Sequence, residues 1–291
     1  MAEKNKVEKS TLYLVATPIG NLADISERAI KVLSEADFIA AEDTRNSLKL
    51  LSALGIKNEL VSYHEHNKKA SGERLLARLL AGESCALITD AGMPAISDPG
   101  EDIVALCTEA GITVSVIPGA CAAVSALSVS GLGTRRFAFE GFLSANKSER
   151  KRQLEKVKND DRTLIFYEAP HKLRATVSDM AEVFGEMRKI SFCRELTKLN
   201  EEIKRTTLGE AVAFYSANEP RGEYVLIVEG FVGEVIDEGV QQMLSLSPEE
   251  HVAKYEAEGM ARMDAIKRAA KDRGMSKSEL YKFAIDIDTI K

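Results

Sequence analysis

Short apolar runs alternate with amphipathic stretches through the first 230 residues of the chain. Residues 12–16, 38–41 and 85–89 are apolar runs with the length of buried strands. Between such runs, apolar residues recur at the three-to-four-residue spacing of helices. Strands that alternate with helices in this way predict a mainly parallel sheet with helices on both faces.

Capping residues predict where several of these helices begin and end. Asp24 or Ser26 is expected to cap the first helix, because their side chains accept hydrogen bonds from free amides. Ser71 is expected to cap a helix over residues 73–81, and Gly82 then fits the position just past its end.

A change of pattern near residue 134 predicts a domain boundary. We predict an N-terminal α/β domain over residues 11–134 and a C-terminal α/β domain over residues 135–230. An acidic linker over residues 231–247 and a helix-turn-helix-like segment over residues 248–291 follow. The predicted fold class is α/β, with two domains of mainly parallel or mixed sheets and a small helical piece.

Composition narrows the class of protein. The chain of 291 residues is 45% apolar and 29% charged, which is typical of a globular protein. It has no apolar stretch of membrane-spanning length, and its first ten residues lack the apolar core of a signal peptide. Four widely spaced cysteines favour reduced thiols and a cytoplasmic location.

The charge pattern leaves the class of partner open. A net charge of −6 argues weakly against nucleic acid, yet residues 147–158 and 261–282 are basic. Each basic stretch is either a solvated helix face or a surface that binds phosphate.

Six loops that adjoin predicted strands are candidates for a ligand site. Parallel strands place their carboxyl ends along one edge, so several of these loops should share a crevice. The twelve-residue loop 89–100 is much longer than the roughly 2–6 residues that usually join strand to helix. The loops cover residues 17–22, 89–100, 118–120, 167–171, 194–197 and 220–223.

Several standard signatures are missing from the sequence. There is no Gly-rich dinucleotide fingerprint after the first strand, no P-loop and no Gly-x-Ser-x-Gly elbow. His64 and His66 have no Cys or third His nearby, so a surface pair is favoured over a metal site, and no metal is predicted. Backbone amides, small residues and a few carboxylates suit a cofactor that carries its own reactive group.

Four runs together resemble the tetrapyrrole-methylase superfamily, and most closely its members that methylate small-subunit ribosomal RNA. The resemblance covers about residues 11–230. The runs are LVATPIGNL at 14–22, AAEDTR at 40–45, TDAGMPAISDPG at 89–100 and FYEAPH at 166–171.

The resemblance implies a homodimer of two-domain protomers with S-adenosylmethionine in the cleft between the domains. The implied reaction is 2′-O-methylation of a cytidine in the decoding region of 16S rRNA in the 30S subunit. In the tetrapyrrole enzymes the first loop is usually Gly-rich and ends in Asp, whereas here it is TPIGNL. That departure disfavours a tetrapyrrole substrate. The alternatives are a small-molecule methyltransferase of this superfamily and a non-catalytic RNA-binding ribosome-assembly factor.

The same resemblance implies which residues hold the cofactor. Asp98 is not counted among them, because its position just before a helix favours a capping role. The implied cofactor residues are Pro18, Asp90, Ala91, Gly92, Met93, Ile96, Pro118, Gly119, Ala120, Tyr167, Pro220 and Gly222.

Methyl transfer to a ribose hydroxyl needs alignment and benefits from a general base. The candidate bases are Glu168, Glu195, His171 and Glu65, each of which could instead be a salt-bridge partner or cap. Arg45, Arg194 and Arg221 are candidates for clamping phosphates, or else form ion pairs with nearby glutamates. The C-terminal candidates for RNA contact are Lys267, Arg268, Lys271, Arg273 and Lys277.

Overall fold

The computed structural model of the protein describes residues 6–233 and 243–285. The chain divides into two compact units, Met1–Phe231 and Val232–Lys291. Most of the predicted acidic linker lies outside the described residues. Among the described residues, no helix is both long and apolar enough to cross a bilayer.

The first sheet has five parallel strands in the order β3-β2-β4-β1-β5. These strands are β1 (Thr11–Val15), β2 (Phe38–Ala41), β3 (Leu60–Ser62), β4 (Cys85–Ile88) and β5 (Thr113–Ile117). The helices that follow them are α1 (Glu27–Glu35), α2 (Thr44–Ala53), α3 (Lys68–Leu80), α4 (Gly100–Glu109) and α5 (Ala122–Val129).

Both faces of the first sheet are covered by helices. Tyr13 of β1 packs in a core with Leu33 of α1, whereas its neighbour Leu12 packs with Leu79 of α3 and Ile103 of α4. Successive side chains of a strand point to opposite faces, so a continuous apolar run fills both layers. The predicted parallel sheet with helices on both faces is confirmed.

The second sheet is mixed and has the order β6-β7-β10-β8-β9. Its first two strands are parallel, and each remaining neighbouring pair is antiparallel. The strands are β6 (Phe137–Phe142), β7 (Thr163–Glu168), β8 (Lys189–Arg194), β9 (Glu202–Thr207) and β10 (Tyr224–Val228). The helices are α6 (Lys147–Val157), α7 (Pro170–Phe184) and α8 (Leu208–Ala217).

Helix α5 precedes the predicted boundary at residue 134 but packs on the second sheet. Ala126 and Leu127 bury themselves among Ile165 and Val225 of that sheet. Helices α6, α7 and α8 cover its other face. The two sheets therefore share one compact unit, and the boundary near residue 134 stays a prediction.

One local prediction is wrong, one strand was missed and two predictions are confirmed. Helix α3 starts after Asn67, so Ser71 lies inside the helix rather than at its cap. Strand β9 was not predicted, because its sequence is charged and has no apolar run. Ser26 caps α1, and Gly82 follows α3 with a φ of +99°.

Asp37 ties the turn before β2 to the turn before β4. Its carboxylate accepts hydrogen bonds from Lys9 Nζ and from the amide and hydroxyl of Ser84, each at 2.7 Å. The bond from Lys9 and those from Ser84 lower the pKa of Asp37 to about 2.

A lowered pKa makes the stability supplied by Asp37 depend on pH. The contribution is complete above the unfolded-state value near 4 and is lost as the pH falls towards 2. We expect Asp37→Asn to cost roughly 2 kcal/mol at pH 7 and much less near pH 2. Urea unfolding at both pH values checks this, and a cost that does not change with pH would contradict it.

The second unit contains three described helices rather than the two predicted. They are α9 (Pro248–Ala257), α10 (Arg262–Asp272) and α11 (Lys277–Ile285), packed around Tyr255, Ile266 and Leu280. The sequence had not predicted α9. The hydroxyl oxygen of Ser276, just before α11, accepts a hydrogen bond from the amide of Glu279.

Candidate active site

Loops from both sheets meet in one cleft. Its walls include the loop after β4, the start of α5, the ends of β6, β7 and β8, and the start of β10. Tyr224 at the start of β10 pairs with Glu168 and Arg194 at the ends of their strands. Because β10 is antiparallel to both neighbours, the loop before it joins the edge formed by the loops after them.

The first loop and the loop after β4 are bound together. Thr17 and Gly92 exchange backbone hydrogen bonds of 2.9 and 3.1 Å. The buried Thr17 hydroxyl donates to the carbonyl of Thr89 at 3.2 Å. Gly92 has a φ of +83°, and a Cβ on it would lie 3.2 Å from Ile19 Cγ2. These contacts hold the backbone of the predicted cofactor loop in one position.

Asp98 fixes the second half of that loop. One carboxylate oxygen accepts hydrogen bonds from the amides of Ala95 and Gly100, at 3.0 and 2.7 Å. The Asp98 side chain therefore binds the first amide of α4, as predicted, although the N-cap position is occupied by Pro99. From the other side, the buried hydroxyl of Tyr63 donates to the carbonyl of Pro99 at 3.0 Å.

The cleft has a volume of about 530 Å³. Six of the predicted cofactor residues line it, namely Asp90, Ala91, Gly92, Met93, Ile96 and Tyr167. The other six, Pro18, Pro118, Gly119, Ala120, Pro220 and Gly222, are not among the lining residues. Gly119 has a packing role, because a Cβ there would lie 2.8 Å from Ala16 Cβ.

An apolar wall of the cleft escaped the sequence analysis. Some of its residues belong to strands or to the start of α5, where the sequence pattern does not distinguish a side chain that faces a cleft from one that is buried in the core. The wall residues that lie outside every predicted loop are Cys121, Ala122, Phe142, Cys193 and Val225.

Carboxyl groups dominate the polar lining. Among the described lining residues there are six carboxyl groups and one lysine, Lys198. Burial raises the pKa of Asp90, and the charges of Glu42 and Asp43 raise it further. A hydrogen bond from the amide of Glu223 lowers the pKa of Glu195, and a hydrogen bond from Lys198 lowers it further. The cleft therefore favours neutral or positively charged groups over anions.

The candidate bases differ in whether other groups of the protein already bond to their side chains. Glu168 is buried, and its two oxygens accept from the amide of Ala169 and the hydroxyl of Thr176. Glu195 accepts from Lys198 Nζ and from the amide of Glu223, both at 2.9 Å.

The other two candidate bases lie in different settings. Glu65 is not a lining residue and pairs with Lys68 at 2.9 Å. His171 lines the cleft from the second position of α7 and is exposed. Among the described residues it has no hydrogen-bond partner, so its ring nitrogens are free to accept a proton.

Tyr167 joins the second sheet to α5. Its hydroxyl oxygen accepts from the amide of Ala123 at 3.2 Å. Burial raises the pKa of Tyr167 to about 12, so the phenol is neutral at physiological pH. This tyrosine is therefore a rigid wall of the cleft rather than a base.

The three candidate phosphate clamps all have acidic partners, two of which are glutamates and one an aspartate. Arg45 pairs with Asp43 at 2.8 Å and remains highly exposed. Arg194 pairs with Glu202 at 2.9 Å, and Arg221 approaches Glu219 at 3.7 Å.

The C-terminal basic residues fall into two groups. Lys267, Lys271 and Lys277 are exposed, and Arg268 is partly exposed at 3.5 Å from Asp272. Arg273 is structural, because it donates to His251 Nδ1 and to the carbonyls of Met243 and Leu246.

Metal-ligating side chains do not cluster in the described part of the chain. The described residues hold no group of three or more His, Cys, Asp or Glu side chains suited to a metal ion. The four cysteines are free thiols.

Comparison with known families matches residues 11–212 to the tetrapyrrole (corrin/porphyrin) methylases. The chain belongs to the tetrapyrrole methylase family. The four sequence runs had indicated this methyltransferase family, and that prediction is confirmed.

Curated relatives within this family are similar over nearly the whole chain. Three of them bear the name ribosomal RNA small subunit methyltransferase I. The protein from Halalkalibacterium halodurans is 52% identical over 94% of each chain. Those from Bacillus subtilis (strain 168) and Escherichia coli O157:H7 are 47% and 44% identical, covering 97% and 94% of this chain and 96% and 94% of their own.

Solved structures of other proteins share the fold of this chain. Uroporphyrin-III-C-methyltransferase from Thermus thermophilus matches with a TM-score of 0.55 and 21% identity, over 76% of this chain and 94% of its own. A diphthine synthase matches with a TM-score of 0.58 and 15% identity, over 76% and 90%. The predicted α/β fold class is thus confirmed.

Proposed function

We propose that the protein is a cytoplasmic, S-adenosylmethionine-dependent methyltransferase of 16S rRNA. The methyl group goes to the 2′-hydroxyl of a cytidine ribose in the decoding region of the 30S subunit. The observation that carries the proposal is near-full-length similarity to proteins named ribosomal RNA small subunit methyltransferase I. The target nucleotide and ribose position come from the resemblance of the four sequence runs.

The cleft suits S-adenosylmethionine in shape and charge. Gly92 lines the floor without a side chain, and Ala122 and Val225 offer apolar surface that suits a planar base. The carboxylates, including Asp90 and Glu223, favour the hydroxyls and positive charges of this cofactor. When bound, the cofactor supplies an activated methyl group on a sulfonium.

The chain itself then has to orient the hydroxyl and accept its proton. We assign proton acceptance to His171, since its ring is accessible while Glu168 and Glu195 are held by hydrogen bonds. The bound loops at Thr17 and Gly92 supply alignment, which accounts for much of the acceleration in a reaction with an activated donor.

Labelled methyl transfer tests the function. The protein is incubated with methyl-labelled S-adenosylmethionine and either 30S subunits or a porphyrinoid precursor. We expect label in the 16S rRNA, and label in the porphyrinoid alone would overturn the proposal. Titration calorimetry separates the assembly-factor alternative, which predicts no cofactor binding at millimolar concentration.

We also propose that the functional unit is a homodimer, as the family resemblance implied. Light scattering during size-exclusion chromatography is expected to give twice the chain mass of 31.8 kDa. A mass of one chain at micromolar concentration would contradict a stable dimer.

Exposed lysines of the second unit are proposed to contact rRNA phosphates. We expect Lys267→Ala with Lys271→Ala to weaken binding to 30S subunits and to reduce the salt slope by about 2. Affinity measured at several salt concentrations checks this. Lys254→Ala on α9 is the control outside the basic stretch 261–282, and an equal effect of that variant would contradict the assignment.

A further inference from the structure

Two exposed apolar side chains stand at the mouth of the cleft, one from the first sheet's loop and one from the second sheet. Ile96 follows β4 and is 46% exposed, and Phe142 ends β6 and is 53% exposed. Both line the cleft. Their segments are neighbours, because a Cβ on Gly141 would lie 3.6 Å from Ser97 Oγ. The mouth is therefore flanked by apolar surface from both sides.

A bulge in β6 aims Phe142 at this position. The pairing of β6 with β7 shifts register between Phe139 and Gly141. Without the shift, Phe139 and Phe142 would point to opposite faces, because they are three residues apart. Instead both rings meet Tyr167 edge-on, with centroid distances of 4.9 and 5.5 Å. Tyr167 is itself held by the amide of Ala123, so the Phe142 ring is braced while half of it stays open.

The charges of the cleft decide which part of an RNA can enter between these residues. Phosphates are disfavoured near the carboxyl groups of the lining, which include Glu42, Asp90 and Glu223. A nucleobase is planar and uncharged, and it stacks well on an aromatic ring. Entry of the nucleoside with its phosphates left outside satisfies both conditions.

We propose that Phe142 and Ile96 form a clamp for the base of the target nucleotide. The base stacks on the open part of the Phe142 ring, and Ile96 covers its other face. The attached ribose is then directed into the cleft, where its hydroxyl reaches the methyl group. This inference rests on the proposed function and names the subsite that selects an unstacked nucleotide.

Methyl transfer to 30S subunits by Phe142→Ala tests the clamp. We expect the KM for 30S subunits to rise about tenfold to a hundredfold, because base–aromatic stacking is lost. The dissociation constant of S-adenosylmethionine, measured by calorimetry, should stay unchanged. Phe142→Tyr keeps a stacking ring and is expected to recover most of the affinity for 30S subunits, whereas Phe142→Leu should recover little.

Phe137→Ala is the matched control, since Phe137 lies on the same strand, is 43% exposed and does not line the cleft. It should have the KM of the unaltered protein. An unchanged KM in Phe142→Ala overturns the clamp, and so does an equal loss of cofactor affinity, which would place the cofactor's adenine there. Full recovery by Phe142→Leu would show packing rather than stacking and would also overturn it.

The clamp and the proposed function fail differently. If the unaltered protein methylates no RNA, the proposed function fails and the clamp falls with it. If the unaltered protein methylates 30S subunits and the Phe142 variants have the same KM as the Phe137→Ala control, the proposed function stands and the clamp alone is overturned. Thermal unfolding of each variant verifies that the fold is intact.

Discussion

Replacing Asp179 with asparagine is expected to lower the free energy of unfolding by about 3–5 kcal/mol. Asp179 Oδ2 accepts from Arg150 Nε at 2.8 Å and pairs with its Nη2 at 2.6 Å. Both side chains are about 5% exposed, so loss of the carboxylate leaves a buried guanidinium without its counter-ion. Urea unfolding followed by circular dichroism measures the change.

Asp161→Asn is the matched control for this buried pair. Arg136 binds Asp161 at the same distance, 2.6 Å, but the two side chains are 67% and 61% exposed. Water already solvates both charges there, so we expect a cost below about 1 kcal/mol. An equal loss in the free energy of unfolding for the two variants would show that burial does not determine how much each ion pair contributes to stability.

The buried pair also supports the cleft mouth. Arg150 Nη1 donates to the carbonyls of Ser144 and Ala145 at 3.2 Å, just beyond the end of β6. Loss of the Asp179 carboxylate would therefore weaken the hydrogen bonds by which Arg150 holds the segment that follows Phe142. If Phe142 clamps the base as proposed, Asp179→Asn should therefore weaken substrate binding as well as stability.

Gly222→Ala is expected to reduce the affinity for S-adenosylmethionine tenfold or more, or about 1.4 kcal/mol. A Cβ at Gly222 would lie 2.5 Å from Glu195 Cγ, and the φ of Gly222 is +80°. Glu195 cannot move freely, because its carboxylate is bonded to Lys198 and to the amide of Glu223. These residues line the cleft, so the clash displaces its wall. Calorimetric titration measures the affinity.

Gly111→Ala separates backbone strain from this clash. Gly111 follows α4 with a φ of +72°, and a Cβ there would meet nothing within 4 Å. It should lose about 1–2 kcal/mol of stability to strain and bind the cofactor like the unaltered protein. Unaltered cofactor affinity in Gly222→Ala would contradict the role given to Glu195 and Glu223 in the wall.

Periodicity predicted most of the fold because most strands are buried apolar runs. The exception is β9, an edge strand whose charged residues Glu202, Lys204 and Arg205 are typical of a solvated loop. The packing of α5 on the second sheet was also beyond prediction, because small residues such as Ala123 and Ala126 fit against either sheet.

The position of the site was predictable, whereas the state of its side chains was not. Loops beside strands identified the cleft, and the loop 89–100 lines much of its floor. Glu168 lies at the end of β7, where the sequence predicts an accessible carboxylate, yet the hydroxyl of Thr176 and the amide of Ala169 both donate hydrogen bonds to it. Phe142 escaped prediction because a bulge, which has no clear sequence signal, reverses the alternation of β6.

The position of the new methyl group in 16S rRNA tests the central claim most directly. The protein is incubated with 30S subunits that lack the modification and with methyl-labelled S-adenosylmethionine, and the rRNA is then digested to nucleosides for mass spectrometry. The account predicts label in 2′-O-methylcytidine. Label on a base, or no label in any nucleoside of the rRNA although the cofactor is bound, would contradict it.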